Sequence, residues 1–406
     1  MQKIFHKVLL PVTMLLFFAS SLAANSIYSR LGIGMPKSYP GAQAFALGGG
    51  GIALINPNTP QYLNPASINF IGITRFSGSF FYEGTDVTLG GLSGRFADAG
   101  FNSTQFSFPL GQHFSFGVGL SPYTNVAYAF ETELDGFDSN VRQTVSGTGG
   151  INRLFLSFGA QMGGWLALGA GMDSYIGNIQ NTWRVFFNDE KFRDTRNQEN
   201  AYVRGIGFRF GAMARLGKYI NLGAVLRLPV GLKSDVETIY NFSGGTSGVQ
   251  QGTVTLPSMQ GFGVTLKPIS QLLLLGDMIF EKWGEVPASE LLNTTATNIT
   301  KISYGIEYRH STEHNVAYLK RMSFRAGFRN AELPYFDSNG NRVSEQFITF
   351  GLSLPYEYNN SQVDLGFEFG TRGSLVDNGT EEKVFRFIAS VGSGERWFYR
   401  PKRRRQ

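Results

Sequence analysis

The stretch "RGIGFRFGAMAR", Arg204 to Arg215, sets Ile206, Phe208, Phe210 and Ala212 against Gly207, Arg209, Gly211 and Met213. Successive side chains of an extended chain point to opposite faces, so this is a strand with two unlike faces. One face is large and apolar. The other mixes glycine with charge. The pattern recurs. "HFSFGVGLS" opposes Phe114, Phe116, Val118 and Leu120 to Ser115, Gly117 and Gly119. "INLGAVLRL" opposes Ile220, Leu222, Ala224, Leu226 and Leu228 to Asn221, Gly223, Val225 and Arg227. "VDLGFEFG" opposes Val363, Leu365, Phe367 and Phe369 to Asp364, Gly366 and Glu368.

Alternation of this kind continues from about Thr74 to Val391. Segments near 74–84, 85–97, 101–109 and 113–131 open a series of about fourteen, which ends near 362–375, with a further stretch at 383–392. Most are long enough for the roughly 9–11 residues that a tilted strand needs to cross a bilayer. A soluble sandwich or propeller would send Arg209, Arg227, Asp364, Glu368 and Arg386 to water, and no blade repeat is visible. A closed membrane barrel sends them to its lumen and the apolar face to lipid. Tyr123, Tyr128, Phe130, Tyr175, Tyr240, Phe242, Tyr335, Phe336, Tyr356 and Tyr358 are then expected near strand ends as aromatic girdles.

The composition agrees. The chain has 51 Gly, 36 Phe, 17 Tyr and 4 Trp in 406 residues, with only 16% charged. Glycine this abundant opposes a helical protein, since each costs about 1 kcal/mol relative to alanine inside a helix. Its spacing is not that of collagen. There are 0 cysteines, which excludes disulfides, thiol nucleophiles, Cys-ligated zinc, iron–sulfur clusters and a cysteine-linked lipid anchor. Residues 1–23 read as a secretory signal. Lys3 and Lys7 precede the apolar run Val8 to Phe18, and Ser21, Leu22 and Ala23 supply a cleavage site. That run is too short for a spanning helix, and the most apolar later stretch, "LLLLG" at Leu272 to Gly276, is cut by Asp277. The expected organisation is a signal at 1–23, a separate segment at 24–73, a barrel at 74–394 and an aromatic-basic tail at 395–406.

The segment before the barrel contains "GGGGIALINPNTPQYLNPASINF", Gly48 to Phe70. Gly-Gly and the pairs Asn56-Pro57 and Asn64-Pro65 are turn signals. Ile52, Leu54, Ile55, Leu63 and Ile68 make it too apolar for a solvated loop. About fourteen strands enclose a wide lumen, and a compact half-apolar segment of this kind fits inside it as a plug.

These residues resemble the long-chain fatty acid outer-membrane transport family (FadL-like, OmpP1-like), in its Bacteroidetes-type branch. "ALGGGGIALINPNTPQYLNPASI" is similar to that family's hatch, with the triplet Asn64, Pro65, Ala66. "LPSMQGFGVTLKPISQLLLLGDMIFEKWGE", Leu256 to Glu285, resembles a recurrent strand pair, with Lys267-Pro268 at the turn and Asp277 and Trp283 on the second strand. Phe324 to Phe336 and Ile348 to Gly370 resemble strands near the family's end. Two features depart from it. The chain ends "ERWFYRPKRRRQ", with Trp397, Phe398 and Tyr399 before a basic tail, and "ANSIYSRLGIG" does not match the family's N-terminus. The resemblance implies passive uptake of a hydrophobic small molecule, a long-chain fatty acid or an aromatic hydrocarbon. Asn64, Pro65 and Ala66, with Asn56 and Pro57, are then the hatch or gating residues. Phe45, Leu47, Ile52 and Leu54 are the candidates for lining the route. The implied partners are outer-membrane lipid and, during insertion, the barrel-assembly machinery. The chain is expected to be a monomer in the outer membrane of a Gram-negative bacterium, binding no cofactor, metal or nucleic acid.

Enzymatic readings find little footing. "GGGG" lacks a following Gly-Lys-Ser/Thr, and no G-x-S-x-G elbow is present. His310 and His314 are four apart but lie between strands without a zinc-helix motif. An outer-membrane phospholipase would need Ser and His on neighbouring strands. The alternative to uptake is a non-transporting barrel, a binding or scaffold component of a secretion or surface-assembly system. A polar porin is a third class, and the plug argues against it.

Overall fold

The computed structural model describes residues 26–37, 41–134, 141–187, 192–241, 245–287, 289, 295–313, 315–356 and 360–396. The signal at 1–23, His314, Phe242, Tyr358 and the tail from Trp397 lie outside them. Every neighbouring pair in the single sheet is antiparallel, and the sheet closes on itself as a barrel of 14 strands. In chain order these are β1 (Thr74–Leu89), β2 (Leu92–Leu110), β3 (Phe114–Pro122, resuming as Thr124–Leu134), β4 (Val141–Met162) and β5 (Leu166–Phe187). They continue with β6 (Thr195–Leu216), β7 (Ile220–Arg227, resuming as Val230–Tyr240), β8 (Gln250–Leu256, resuming as Met259–Ile269) and β9 (Leu272–Glu281). The last are β10 (Ile299–Arg309), β11 (Ser323–Phe336), β12 (Arg342–Tyr356), β13 (Ser361–Arg372) and β14 (Thr380–Glu395), which pairs with β1 along its whole length.

Closure leaves no unpaired edge at membrane depth, which is what hydrocarbon requires of a sheet. On β6, Ile206, Phe208 and Phe210 are 59%, 50% and 45% exposed on the outer face, while Arg209 between them is 1% exposed inside. Arg227, Asp364, Glu368 and Arg386 are likewise buried inside the wall. With this architecture the chain is a multi-pass outer-membrane β-barrel.

Two expectations from sequence are corrected. The segments near 74–84, 85–97 and 101–109 are not three strands but the two strands β1 and β2, joined at Gly90 and Gly91, whose φ of 55° and 87° only glycine adopts freely. Near this turn both faces meet water, so apolar alternation fades before the strand does. The total is kept because the stretch at 383–392 belongs to a complete strand, β14. The second correction concerns the girdle. Tyr123, Tyr128, Tyr175 and Tyr335 point inward and are buried in one cluster around Ile33 and Trp283. Tyr123 and Tyr175 meet edge to face at 5.1 Å. The exposed aromatics at the short turns are Phe114, Trp165, Tyr219, Tyr308 and Phe324.

Both ends of the barrel chain, Thr74 and Glu395, lie at the same end as the tight turns after β2, β4, β6 and β8. Short turns mark the periplasmic end of such barrels. The connection from β10 to β11 is an exception there. It runs from 310 to 322 and carries a one-turn helix, Tyr318–Arg321.

Candidate functional site: the hatch and its seat in the wall

Residues 26–73 enter the lumen from the extracellular end and wind down its inner wall. At the top, Glu382 on β14 accepts hydrogen bonds from the Ile27 amide (2.8 Å) and from Ser26 Oγ (2.9 Å). Tyr28 donates from its hydroxyl to Thr380 O at 2.7 Å. Met35–Pro36 pairs with Thr124 and Asn125 of β3. Lys37 then lies 3.3 Å from Asp98 and 3.7 Å from Glu83, over the Phe81 ring. Below it the helix Ala42–Ala46 packs on β13 and β12, and the Ala42 amide donates to Ser390 Oγ at 2.8 Å.

From this helix onward the hatch circles the lumen, taking the strands in reverse chain order. At every strand of the arc but one it meets a glycine. A Cβ added at Gly366 (β13), Gly351 (β12), Gly327 (β11), Gly305 (β10), Gly263 (β8), Gly223 (β7), Gly211 (β6), Gly169 (β5) or Gly159 (β4) would come within 3.0 Å of hatch atoms. Their contacts run in order from Phe45 and Ala46, through Leu47, Gly48, Ile52 and Ala53, to Asn64, Pro65, Ala66 and Asn69. Many of these glycines are direct cross-strand partners: Gly351 with Gly366, Gly305 with Gly327, Gly223 with Gly263, and Gly159 with Gly169 with Gly211. The glycines opposite the apolar face in the sequence thus form a belt, and each lets the hatch, by its backbone or a short side chain, come into direct contact with the wall.

The one strand in this arc without a belt glycine is β9, and it supplies Asp277 instead. Its carboxylate accepts from the amides of Gly51 (2.5 Å) and Ile52 (2.8 Å). The four glycines of the hatch follow from the same geometry. Gly48 and Gly49 take φ of 77° and 78°, and a Cβ on Gly48 would collide with the Phe328 carbonyl of the wall.

Asn64 is fully buried and caps the 3₁₀ turn Pro65–Phe70 by accepting from the Ala66 amide at 3.0 Å. Its Nδ2 lies 2.9 Å from Ile52 O in the hatch, and 3.2 Å and 3.3 Å from Ala212 O and Ala224 O, cross-strand partners on β6 and β7. Pro65, with no N–H, needs no acceptor where the hatch presses on Gly169. Asn56 is on the other side of the hatch, where Nδ2 donates to Gln43 Oε1 at 2.5 Å and the residue after Pro57, Asn58, donates its amide to Asn56 Oδ1 at 2.8 Å. It braces the hatch against itself and not against the wall. Asn64→Ala is expected to loosen the hatch by about 2 kcal/mol, because the strand carbonyls keep their ladder bonds and only Ile52 O and the Ala66 amide lose a partner. A mild increase in amide exchange confined to 64–70, with unchanged barrel heat-modifiability, is the measurement.

The structure packs Phe45, Leu47 and Ile52 onto wall glycines, and Leu54 into a cluster with Leu47, Leu273 and Leu275. All four are at most 1% exposed, so in this conformation they face protein and not a route. Above the hatch the lumen is crossed by ion pairs. Arg372 bridges Glu345 and Glu382 at 2.6 Å each. Arg386 joins Glu83 at 2.6 Å and also Glu368. Below the belt, on the periplasmic side of Gly305, Gly327 and Gly366, Arg325 bridges Glu307 (2.6 Å) and Asp364 (2.7 Å). Each guanidinium ties strands together, and removing one partner would leave a buried charge uncompensated. A cleft beside these pairs is walled by Arg153, Arg209, Arg227, Glu281, Lys301 and Arg329 over Tyr62, Leu63, Met259 and Ile279. Arg209 also donates to Tyr62 O at 2.6 Å and pairs with Asp173 at 3.1 Å.

Sequence reasoning did not single out Glu382, Arg372 or the belt as functional, and it read Asp277 only as an interruption and a family mark. The signal for Asp277 was there: an acid among leucines, in the inward register with Leu273 and Leu275. Among the described residues no group of His, Asp and Glu is arranged to hold a metal.

No curated protein matches the chain by sequence. Similar solved structures include a FadL homologue of Pseudomonas aeruginosa, 13% identical over 89% of this chain and 98% of that one, with a TM-score of 0.59. They also include the CymD monoaromatic hydrocarbon channel, 15% identical over 90% and 100%, TM-score 0.58, and the Pseudomonas putida toluene transporter TodX, 16% over 92% and 98%, TM-score 0.50. At these identities the likeness concerns the fold. The family model described as BamG matches residues 1–403, so the chain belongs to the BamG family, built on the FadL-like plan of a plugged outer-membrane barrel.

Proposed function

We propose that this chain is a closed, non-transporting barrel that serves as a scaffold component of a secretion or surface-assembly system in the outer membrane. The observation that carries this reading is the seat of the hatch. It is fitted directly onto wall glycines from β13 round to β4, with Asp277 holding it on β9, and its top is held by charge-assisted hydrogen bonds to the buried Glu382. A plug that moves to pass solute gains from loose, exchangeable contacts. This one gives up a contact on every strand of the arc before it shifts. The ion-paired lumen above it disfavours a greasy solute further, since an apolar body among Arg372, Glu382, Arg386 and Glu368 would displace partners that cannot be replaced.

A second reading, uptake of a hydrophobic compound, is favoured by the cleft beside the ion pairs, where cations stand over Tyr62, Leu63, Met259 and Ile279. The two separate in one experiment. The full chain in proteoliposomes is expected to pass labelled long-chain fatty acid and monoaromatic hydrocarbon no faster than protein-free vesicles. Cross-linking in intact outer membranes is expected to trap it in one discrete complex of fixed stoichiometry. Flux above the protein-free rate, together with a chain that cross-links only to itself or to nothing, overturns the scaffold reading in favour of uptake.

A further inference from the structure

We infer that the periplasmic mouth of the barrel is a docking site for an acidic peptide segment of a partner protein. This deepens the scaffold reading and rests on it. Arg215 on β6, Lys267 on β8 and Arg309 on β10 converge at the bottom of the lumen. Lys267 feels the charge of Glu307 and, opposing it, those of both Arg215 and Arg309. Arg215 follows Arg209 and Met213 in the inward register, and its guanidinium lies 4.9 Å over the ring of Phe70 in the hatch. Arg309 is inward too, donating to the buried Ser323 hydroxyl at 2.6 Å. Three cations therefore stand around the underside of the plug.

Their charge is only partly neutralised, by Glu307. Among the described residues neither Arg215 nor Lys267 has a carboxylate at ion-pair distance. The nearest acid is Glu307, 3.8 Å from Arg309, and it is already engaged by Arg325 at 2.6 Å and Gln43 at 3.2 Å. All three cations are half-buried. The rim adds Lys218 in the turn after β6 and Lys320 in the long connection 310–322, both exposed. Three like charges gathered at a water-filled opening repel each other and focus a positive potential into the periplasm. That arrangement is stabilised by an anion.

The direction of the trio selects the anion. Phospholipid headgroups of the inner leaflet lie outside the wall, whereas Arg215, Lys267 and Arg309 face inside it. The protein's own tail is basic from Arg400 to Arg405 and carries the wrong charge. A peptide segment with several Asp or Glu, entering the mouth from the periplasm, reaches all three. It would be bound by charge-assisted hydrogen bonds, with Arg215 and Arg309 offering forked donors. The connection 310–322 stands beside the mouth with Leu319 71% exposed and Tyr318 45% exposed, an apolar shoulder next to the charged opening.

The test uses the full chain in zwitterionic nanodiscs and a fluorescent peptide of ten glutamates. Wild type is expected to bind it with an affinity that falls steeply with salt. The double variant Arg215→Gln/Lys267→Gln should bind at least tenfold more weakly while its barrel stays heat-modifiable. Lys233→Gln, on the outer face of the wall, should bind like wild type. If the double variant fails to fold, Lys218→Gln/Lys320→Gln on the rim is used, with a severalfold loss expected. No binding by wild type, or equal binding by the variants, overturns the inference. So does a response only to nanodiscs containing phosphatidylglycerol, which would assign the charge to lipid. Failure here, with the discrete cross-linked complex still present, would leave the scaffold reading intact. Peptide binding without any such complex would count against that reading instead.

Discussion

Asp277→Ala is expected to release the glycine-rich part of the hatch. In the wild-type chain the Asp277 carboxylate is the acceptor for the adjacent amides of Gly51 and Ile52, all of them buried. Alanine leaves two N–H groups without acceptors in a site closed to water by Leu275, and each orphaned buried donor costs about 1–3 kcal/mol. The ladder of β9 is untouched, because Asp277 pairs with Gly263 and Ser303 through its backbone. The barrel should therefore stay heat-modifiable while amides 48–53 exchange at least tenfold faster and the hatch becomes open to protease. Asp277→Asn keeps one acceptor oxygen and should fall between the two. A variant whose hatch is as protected as wild type would show that the belt alone holds it.

The belt itself is tested by Gly211→Val. The missing side chain of Gly211 is the space that Asn64 Oδ1 and Pro65 Cδ occupy, and Gly169 beside it leaves room for the Pro65 carbonyl and the Ala66 amide. At Gly169 the obstacle to a new Cβ is hatch backbone, and at Gly211 it is the buried, hydrogen-bonded Asn64 side chain and the fixed Pro65 ring, none of which can simply rotate away. Overpacking of this kind costs typically 1–3 kcal/mol and more where backbone must shift. Gly211→Val should eject the Asn64–Asn69 turn and lower the yield of folded barrel. Gly211→Ala should do so in part. Gly276→Ala is the control: it lies on the outer face with its nearest neighbour at 3.8 Å, and should be close to neutral. If Gly211→Val keeps a protease-resistant hatch, the close-approach account of the belt fails.

Period-two alternation sufficed for the fold. It is a local property, since each strand declares its lipid face within ten residues, as in Ile206 to Phe210. Together with the expected export signal and no cysteine it was enough for a membrane barrel and for the inward placement of Arg209, Arg227, Asp364 and Glu368. The plug was legible too, because Gly-Gly and Asn-Pro turns around apolar residues have few other uses ahead of a wide barrel. What the sequence could not state was the purpose of the second face. A glycine opposite phenylalanine looks the same whether it lines an open channel or touches a hatch. Only closure, which brings β4 and β13 to opposite sides of one turning segment, shows that Gly159, Gly211, Gly305 and Gly366 serve one contact. The same holds for charge. Arg372 and Glu382 are ten residues apart and read as ordinary loop-flanking charges, but hairpin register sets them opposite each other and Ser26 arrives from the far end of the chain. Tyr123 and Tyr175 were misjudged for that reason: an aromatic near a strand end suits a lipid girdle or a plugged lumen equally well. Which one it meets is decided by register and by the path of the hatch, and both are set by contacts hundreds of residues apart.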